Sequence, residues 1–232
     1  MLKFSDFPLR ERKQSKTRLA IFDAARKLLQ EKCLAKVKVE EICELIDISR
    51  GTFFSYFARK QDLIVYAIRL RSIETGWLMA RTPKKNLGIP FINSLFQSAA
   101  FSLLESPIFW TEIMALRVFE PKTIHRLNQN EISVVTKLDR LLRFPEKPGI
   151  EEIPDGTIVT YFRKNLAIAI KKKELPLDTD IEVILISLTS LFYGVPLMMA
   201  GYTDFETVPK EYDRQLNILW NGLWAVSTQV HK

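Results

Sequence analysis

Two short runs of helical apolar spacing flank the tripeptide Asp47-Ile48-Ser49. Val39, Ile42, Cys43 and Ile46 mark the first run. The second opens at Arg50 behind Ser49, a residue suited to cap a helix N-terminus, and ends near Phe57. Two helices of about eight residues joined by a turn of three or four have the proportions of a helix-turn-helix. Helical runs lie on both sides of the pair. Ile21, Ala25, Leu28 and Leu29 share one face of a helix from Thr17 to near Cys33. Another run opens at Lys60-Gln61-Asp62 and continues through Leu63, Tyr66, Ala67 and Leu70 to Met79.

The second short helix sorts its residues by face. At about 100° per residue, Phe53 and Phe57 share a face while Gly51 and Ser55 lie about 200° away and Thr52 lies on the flank. Phe53 and Phe57 are therefore expected to lock the helix onto its neighbours. Gly51, Thr52 and Ser55 face outward, small and polar, which lets a helix backbone sink into a DNA major groove about 12 Å wide. Arg50 has the reach for a guanine edge or a phosphate, and Tyr56 and Lys60 are placed to hold the DNA backbone. Thr17 and Lys60, each at a helix start, fit phosphate binding at helix N-termini.

Charge supports a polyanion partner. Residues 1–75 hold 16 Lys/Arg against 10 Asp/Glu, a net of +6, while residues 76–232 hold 18 against 17. Nearly all of the +7 therefore sits in the first third, where nucleic acid is the first partner to consider and an anionic membrane the second. The N-terminal residues show no apolar h-region, so a cytoplasmic setting is expected, with Cys33 and Cys43 unpaired. Neither cysteine has a histidine nearby, and no metal site or cofactor is expected. A redox role for either thiol stays open.

Residues 17–64 resemble the DNA-binding region of the TetR family of bacterial transcriptional regulators. The matching pieces are Ile21, Ala25, Leu28-Leu29, Ile42-Cys43, Asp47-Ile48-Ser49, Gly51-Thr52-Phe53-Phe54, Tyr56-Phe57 and Lys60-Gln61-Asp62-Leu63. They are collinear and include the spacing of all four helices. There are departures. Asp47 stands for the family's turn glycine, and Asp tolerates a left-handed backbone better than most residues. Phe54 stands for a tyrosine and loses its hydroxyl contact. Cys33 replaces the glycine that ends helix one, and Lys38 replaces the threonine that opens helix two, exchanging a cap for a phosphate contact. The resemblance implies DNA contacts from Thr17, Lys38, Ser49, Arg50, Gly51, Thr52, Ser55, Tyr56 and Lys60.

The rest of the chain reads as helices over 89–105, 107–118, 121–143, 157–173, 178–202 and 207–229, with a long Pro/Gly-rich loop at 144–156. The expected class is all-α: a basic arm over 1–16, a three-helix helix-turn-helix domain over 17–62, and a larger helical bundle over 63–232. Val183–Thr203 carries no charge and is long enough to span a bilayer. Acidic residues flank it on both sides, so no positive-inside signal is present, and a buried or interfacial helix is the expectation. The resemblance implies that this bundle dimerises and encloses an effector pocket. Ile184, Leu188, Leu191, Val195, Leu216, Trp220 and Trp224 are the expected dimer contacts. Phe91, Phe96, Trp110, Glu112, Arg117, His125 and Asn128 are the expected pocket for a small, largely apolar effector, although any of those aromatics serves equally well as bundle packing.

No catalytic residues are assigned, since no Gly-rich phosphate loop or Ser-His-Asp arrangement is present and the only histidines are His125 and His231. The function expected is a DNA-binding repressor acting as a homodimer on a pseudo-palindromic operator and released by an effector. The alternatives are a regulator without small-molecule control and one held at a membrane through 183–203.

Overall fold

Pro8 sets the first helix: it stands at the N-cap with φ −55°, and α1 runs from Leu9 to Leu28. The structure, a computed structural model, describes residues 4–128, 135–199 and 205–230, with the side chains of Arg126, Asn128 and 226–230 outside the description. Helix α1 thus begins eight residues earlier than the spacing predicts. The segment over 1–16, expected as an arm, becomes helical at Leu9. Leu9–Lys16 contains no glycine or proline and is rich in Arg, Lys, Glu and Gln, all good helix formers.

The chain divides into two compact units, residues 1–78 with 108–157, and residues 79–107 with 158–232. The division differs from a boundary at 62/63. The first half of α4 (Asp62–Arg81) buries Leu63, Ile64, Val65, Tyr66, Ala67 and Leu70 in the first unit's core.

The first unit contains α1, α2 (Val39–Leu45), α3 (Arg50–Tyr56), most of α4, α6 (Pro107–Phe119), α7 (Pro121–Asn128) and α8 (Lys137–Arg143). Its core joins Ile21, Ala25, Val37, Ile42 and Phe53 to Leu116, Leu127, Val135 and Ile150. The helix expected over 121–143 is present as α7 and α8. Thr136 starts the second piece as a capping box: its hydroxyl accepts from Asp139 N–H (3.1 Å), and Asp139 accepts from Thr136 N–H (2.9 Å). α8 packs on α1, where Asp139, fully buried, pairs with Arg18 at 2.7 Å. The following loop is pinned by buried arginines. Arg140 donates to Ile153 O and Asp155 Oδ1, each at 2.5 Å, and Arg69 donates to Leu127 O (2.7 Å) and Gly156 O (3.2 Å).

The second unit packs α5 (Ile89–Glu105), α9 (Ile158–Lys171), α10 (Ile181–Met199) and α11 (Val208–Val230) around one aromatic cluster. Phe96 stacks on Phe162 (5.5 Å) and meets Phe192 and Tyr212 edge-on (5.3 and 4.9 Å). Pro196 lies inside α10 and has no N–H for the carbonyl four residues back, at Phe192. The Tyr212 hydroxyl donates to that oxygen at 2.6 Å, so α11 supplies the bond that the proline removes. At the start of α5, Gly88 takes φ 90°, and a Cβ there would meet Glu174 Oε2 at 2.3 Å. The space is needed because Asn165 and Glu174 accept from Gly88 N–H and Ile89 N–H (both 2.9 Å), satisfying orphan donors of the helix end. Among the described residues no strand occurs.

Candidate nucleic-acid interface

The turn between α2 and α3 adopts the conformation that its sequence requires. Asp47 has φ 53°, in the left-handed region that Asp enters more readily than most residues. Ser49 then caps α3: its Oγ accepts from Thr52 N–H at 3.0 Å and lies 2.9 Å from Thr52 Oγ1. Ser55 Oγ donates to Thr52 O at 2.6 Å.

One side of α3 is fixed from within. Phe53 and Phe57 are buried, and a chain of ring contacts runs inward. Phe53 meets Phe54 edge-on at 5.2 Å and lies 6.1 Å from Phe57, Phe57 meets Tyr66 at 5.6 Å, and Tyr66 meets Phe22 at 5.2 Å. This chain ties α3 through α4 to α1. Burial holds the Tyr66 phenol above its usual range, and the Asp139 carboxylate beside it pushes the same way. The hydroxyl therefore stays protonated.

The opposite side is open. Arg50, Gly51, Phe54 and Ser55 are exposed, with Thr52 and Tyr56 half-buried at the margins. A Cβ on Gly51 would meet only Ser49 Oγ, at 3.7 Å, an ordinary contact. The fold thus does not require glycine here, although glycine costs an exposed helix roughly 1 kcal/mol relative to alanine. What it preserves is free space outside the helix. Arg50 pairs with Glu40, the second residue of α2, at 2.9 Å. The Arg18 guanidinium lies 5.8 Å from the Tyr56 ring centre. Lys38 is exposed at the start of α2, where its N–H donates to Glu41 Oε2 (2.8 Å). The hydrogen bond from Lys32, and then that from Lys38 N–H, hold the Glu41 carboxyl below its usual range.

Two residues expected here are placed differently. Thr17 lies midway along α1, so no helix N-terminus adjoins it. Lys60 precedes α4 and turns its ammonium inward, donating to Val37 O (2.7 Å) and Leu34 O (2.9 Å). Its charge holds the backbone of the α1–α2 connection, which lacks a terminal glycine. Glu112 of α6 grips the same connection by accepting from Leu34 N–H at 2.8 Å. Lys60→Met is expected to lower stability by about 1.5–3 kcal/mol, the range for hydrogen bonds to charged groups. The salt dependence of DNA binding should stay at the wild-type slope. Urea unfolding and a salt titration check this, and a slope flattened by about 0.9 would return Lys60 to a phosphate.

The expected pocket residues are divided between the two units. Phe91 and Phe96 fill the second unit's core, whereas Trp110, Glu112, Arg117 and His125 belong to the first unit; the Asn128 side chain lies outside the described residues. Of these, Glu112 alone lines a groove of about 190 Å³, with Leu34, Lys60, Ile64, Leu116 and Phe119. The residues expected at a dimer contact fall in different surroundings. Ile184, Leu188, Val195, Leu216 and Trp220 are buried inside the second unit, Leu191 is half-buried, and Trp224 is exposed while its indole N–H donates to Glu174 O at 3.3 Å. The outer face carries Val183, Ile186, Leu197 and Met198 on α10 and Ile218 on α11. Helix α10 is long and apolar enough to cross a membrane by length and composition. Its inner face, however, is engaged with α9 and α11.

Residues 21–67, from within α1 into α4, match the family described as bacterial regulatory proteins, tetR family. Salmonella enterica GusR is 21% identical over 90% of this chain and 95% of its own, with a TM-score of 0.57. A Pseudomonas aeruginosa PAO1 protein assigned as a transcriptional regulator is 16% identical over 95% and 96%, with a TM-score of 0.51. At such identities the likeness speaks for the fold. No curated protein matches the chain. Residues 21–67 thus carry a helix-turn-helix segment that matches the tetR family of bacterial regulatory proteins, and the chain shares its fold with these two proteins over most of its length.

Proposed function

We propose that this protein is a repressor that binds a pseudo-palindromic operator as a homodimer and is released by a small, largely apolar effector. The observation that carries the DNA half is the two-sided α3. Buried Phe53 and Phe57 set its pose, and an open face of Arg50, Gly51, Thr52 and Ser55 stands opposite. In the bound state α3 lies in the major groove. Arg50 reaches a guanine edge or phosphate, and Ser49, Tyr56 and Lys38 hold the backbone beside it. Residues 17–62 thus read DNA, and the bundle that follows dimerises.

The dimer contact is the outer face of α10 and α11. Ile186 and Ile218 are apolar, exposed and unneeded by the unit's own core, which suits an isologous contact. A two-fold dimer presents two copies of α3 about 34 Å apart, one turn of DNA. The effector half rests on the likeness to the tetR family alone. It fails if apolar ligands across a broad panel leave the operator complex intact in an anisotropy titration.

Selection of bound duplexes from a random pool at stated salt tests the DNA half. A pseudo-palindromic site is expected. Sequence-blind binding that vanishes with salt would leave only a basic surface. Arg50→Ala should weaken binding to the selected site by about 1–3 kcal/mol and relax preference at one base position per half-site. Circular dichroism and mass should be unchanged. A reporter placed behind that site should fall in expression when the protein is supplied; a rise would make it an activator.

A further inference from the structure

The base-reading candidate Arg50 does not stand free. Its Nη1 lies 2.9 Å from Glu40 Oε1, which joins the first residue of α3 to the first turn of α2. Both side chains are largely open to solvent, so the pair adds little to stability. Its reason is therefore to be sought on the surface. Helix α2 also exposes Glu44, and Asp47 is exposed in the turn, so the margin of the recognition helix is acidic within an otherwise basic third of the chain. An acidic margin opposes general DNA affinity, because carboxylates and phosphates repel.

We infer that Glu40 is a specificity-determining residue that holds Arg50 back from DNA phosphates and aims it at a base edge. The inference rests on α3 being the DNA-reading helix. A guanidinium has five N–H donors in a planar fork, and Glu40 occupies only part of it. The remaining donors can serve a guanine O6/N7 pair, which needs a fixed orientation. The same carboxylate cancels the charge that would otherwise let Arg50 settle on any phosphate. In a wrong register the base edge is missing, and the donors that Glu40 leaves open find no matching pair of acceptors. Discrimination thus comes from weakening the nonspecific complex as much as from strengthening the specific one.

The test compares the full-length wild type with Glu40→Gln, Arg50→Ala and the double variant. Each is titrated across a range of salt with the duplex selected from the random pool and with a scrambled duplex of the same length and composition. Glu40→Gln should bind the scrambled duplex about five- to tenfold more tightly at 0.1 M salt, with a slope of log K against log salt steeper by about 0.9 for each added phosphate contact. Its preference for the selected duplex should shrink by a similar factor. The gain should vanish when Arg50→Ala is added. If the gain survives in the double variant, the effect is general charge and the inference is overturned. It is likewise overturned if Glu40→Gln binds both duplexes as the wild type does, or more weakly, while Arg50→Ala remains impaired. If Arg50→Ala itself binds the selected duplex like the wild type, the assignment of α3 fails instead.

Discussion

Phe53→Ala should cost the protein about 3–5 kcal/mol of folding stability, the range for a large buried aromatic truncated to alanine. Phe53 is fully buried and sits at the junction of α3 with its neighbours. Its ring meets Phe54 edge-on, lies beside Phe57, and through Phe57 reaches Tyr66 and Phe22. Helix α3 spans only Arg50–Tyr56 and cannot persist without packing. Removing the ring leaves a cavity that the Ser49 cap and the Asp47 turn hinder from closing. Urea unfolding gives the measurement. The midpoint should fall sharply with the slope unchanged, and Phe54→Ala, on the open side, should fall far less. Equal losses for the two variants would mean that the inner and outer faces of α3 are wrongly drawn.

Ile186→Arg should convert the protein to a monomer and lower operator affinity by about 10²–10⁴-fold, the range that joining two binding modules contributes. Ile186 is 70% exposed, and Ile218 on the adjoining helix is 66% exposed. A charge at the centre of such a surface opposes its burial against a second copy. The control is Leu188, 0% exposed and two residues away. Leu188→Arg should unfold the second unit, whereas Ile186→Arg should leave helical content intact. Sedimentation equilibrium and anisotropy on the selected duplex read the two effects. A dimer that survives both Ile186→Arg and Ile218→Arg would place the interface elsewhere.

Much of the helix-turn-helix was legible in the sequence because its information is local. The Ser49 cap, the left-handed Asp47 and the inward pair Phe53 and Phe57 each follow from residue type and helical period. Long-range pairing was not. Lys60 has the look of a phosphate contact until Leu34 O and Val37 O are seen within its reach. Arg18 and Asp139 are 121 residues apart in sequence, and nothing near either announces the other. Helix α10 shows a different limit. A helix apolar on every face has lost the periodicity that tells inside from outside, so the contacts expected at Ile184 and Leu188 fell on the core side. The start of α8 carries a local signal, the capping pattern Thr136-Lys137-Leu138-Asp139, but the apolar spacing over 121–143 also fits one helix.

The first unit is not continuous in sequence: residues 79–107 leave it for the second unit, and 108–157 return. During synthesis this sets an order of events. When residue 78 has been made, the carbonyls that accept from Arg69, at Leu127 and Gly156, do not yet exist, nor does the Asp139 that receives Arg18. At bacterial-to-eukaryotic elongation speeds the missing partners arrive about 4–16 s later. Helix α3 is therefore translated early, while α1 and α4, to which Phe57, Tyr66 and Phe22 tie it, receive part of their bracing later. A chain that stops early carries α3 on helices that lack these later braces, and such a fragment is expected to unfold more readily than the whole chain.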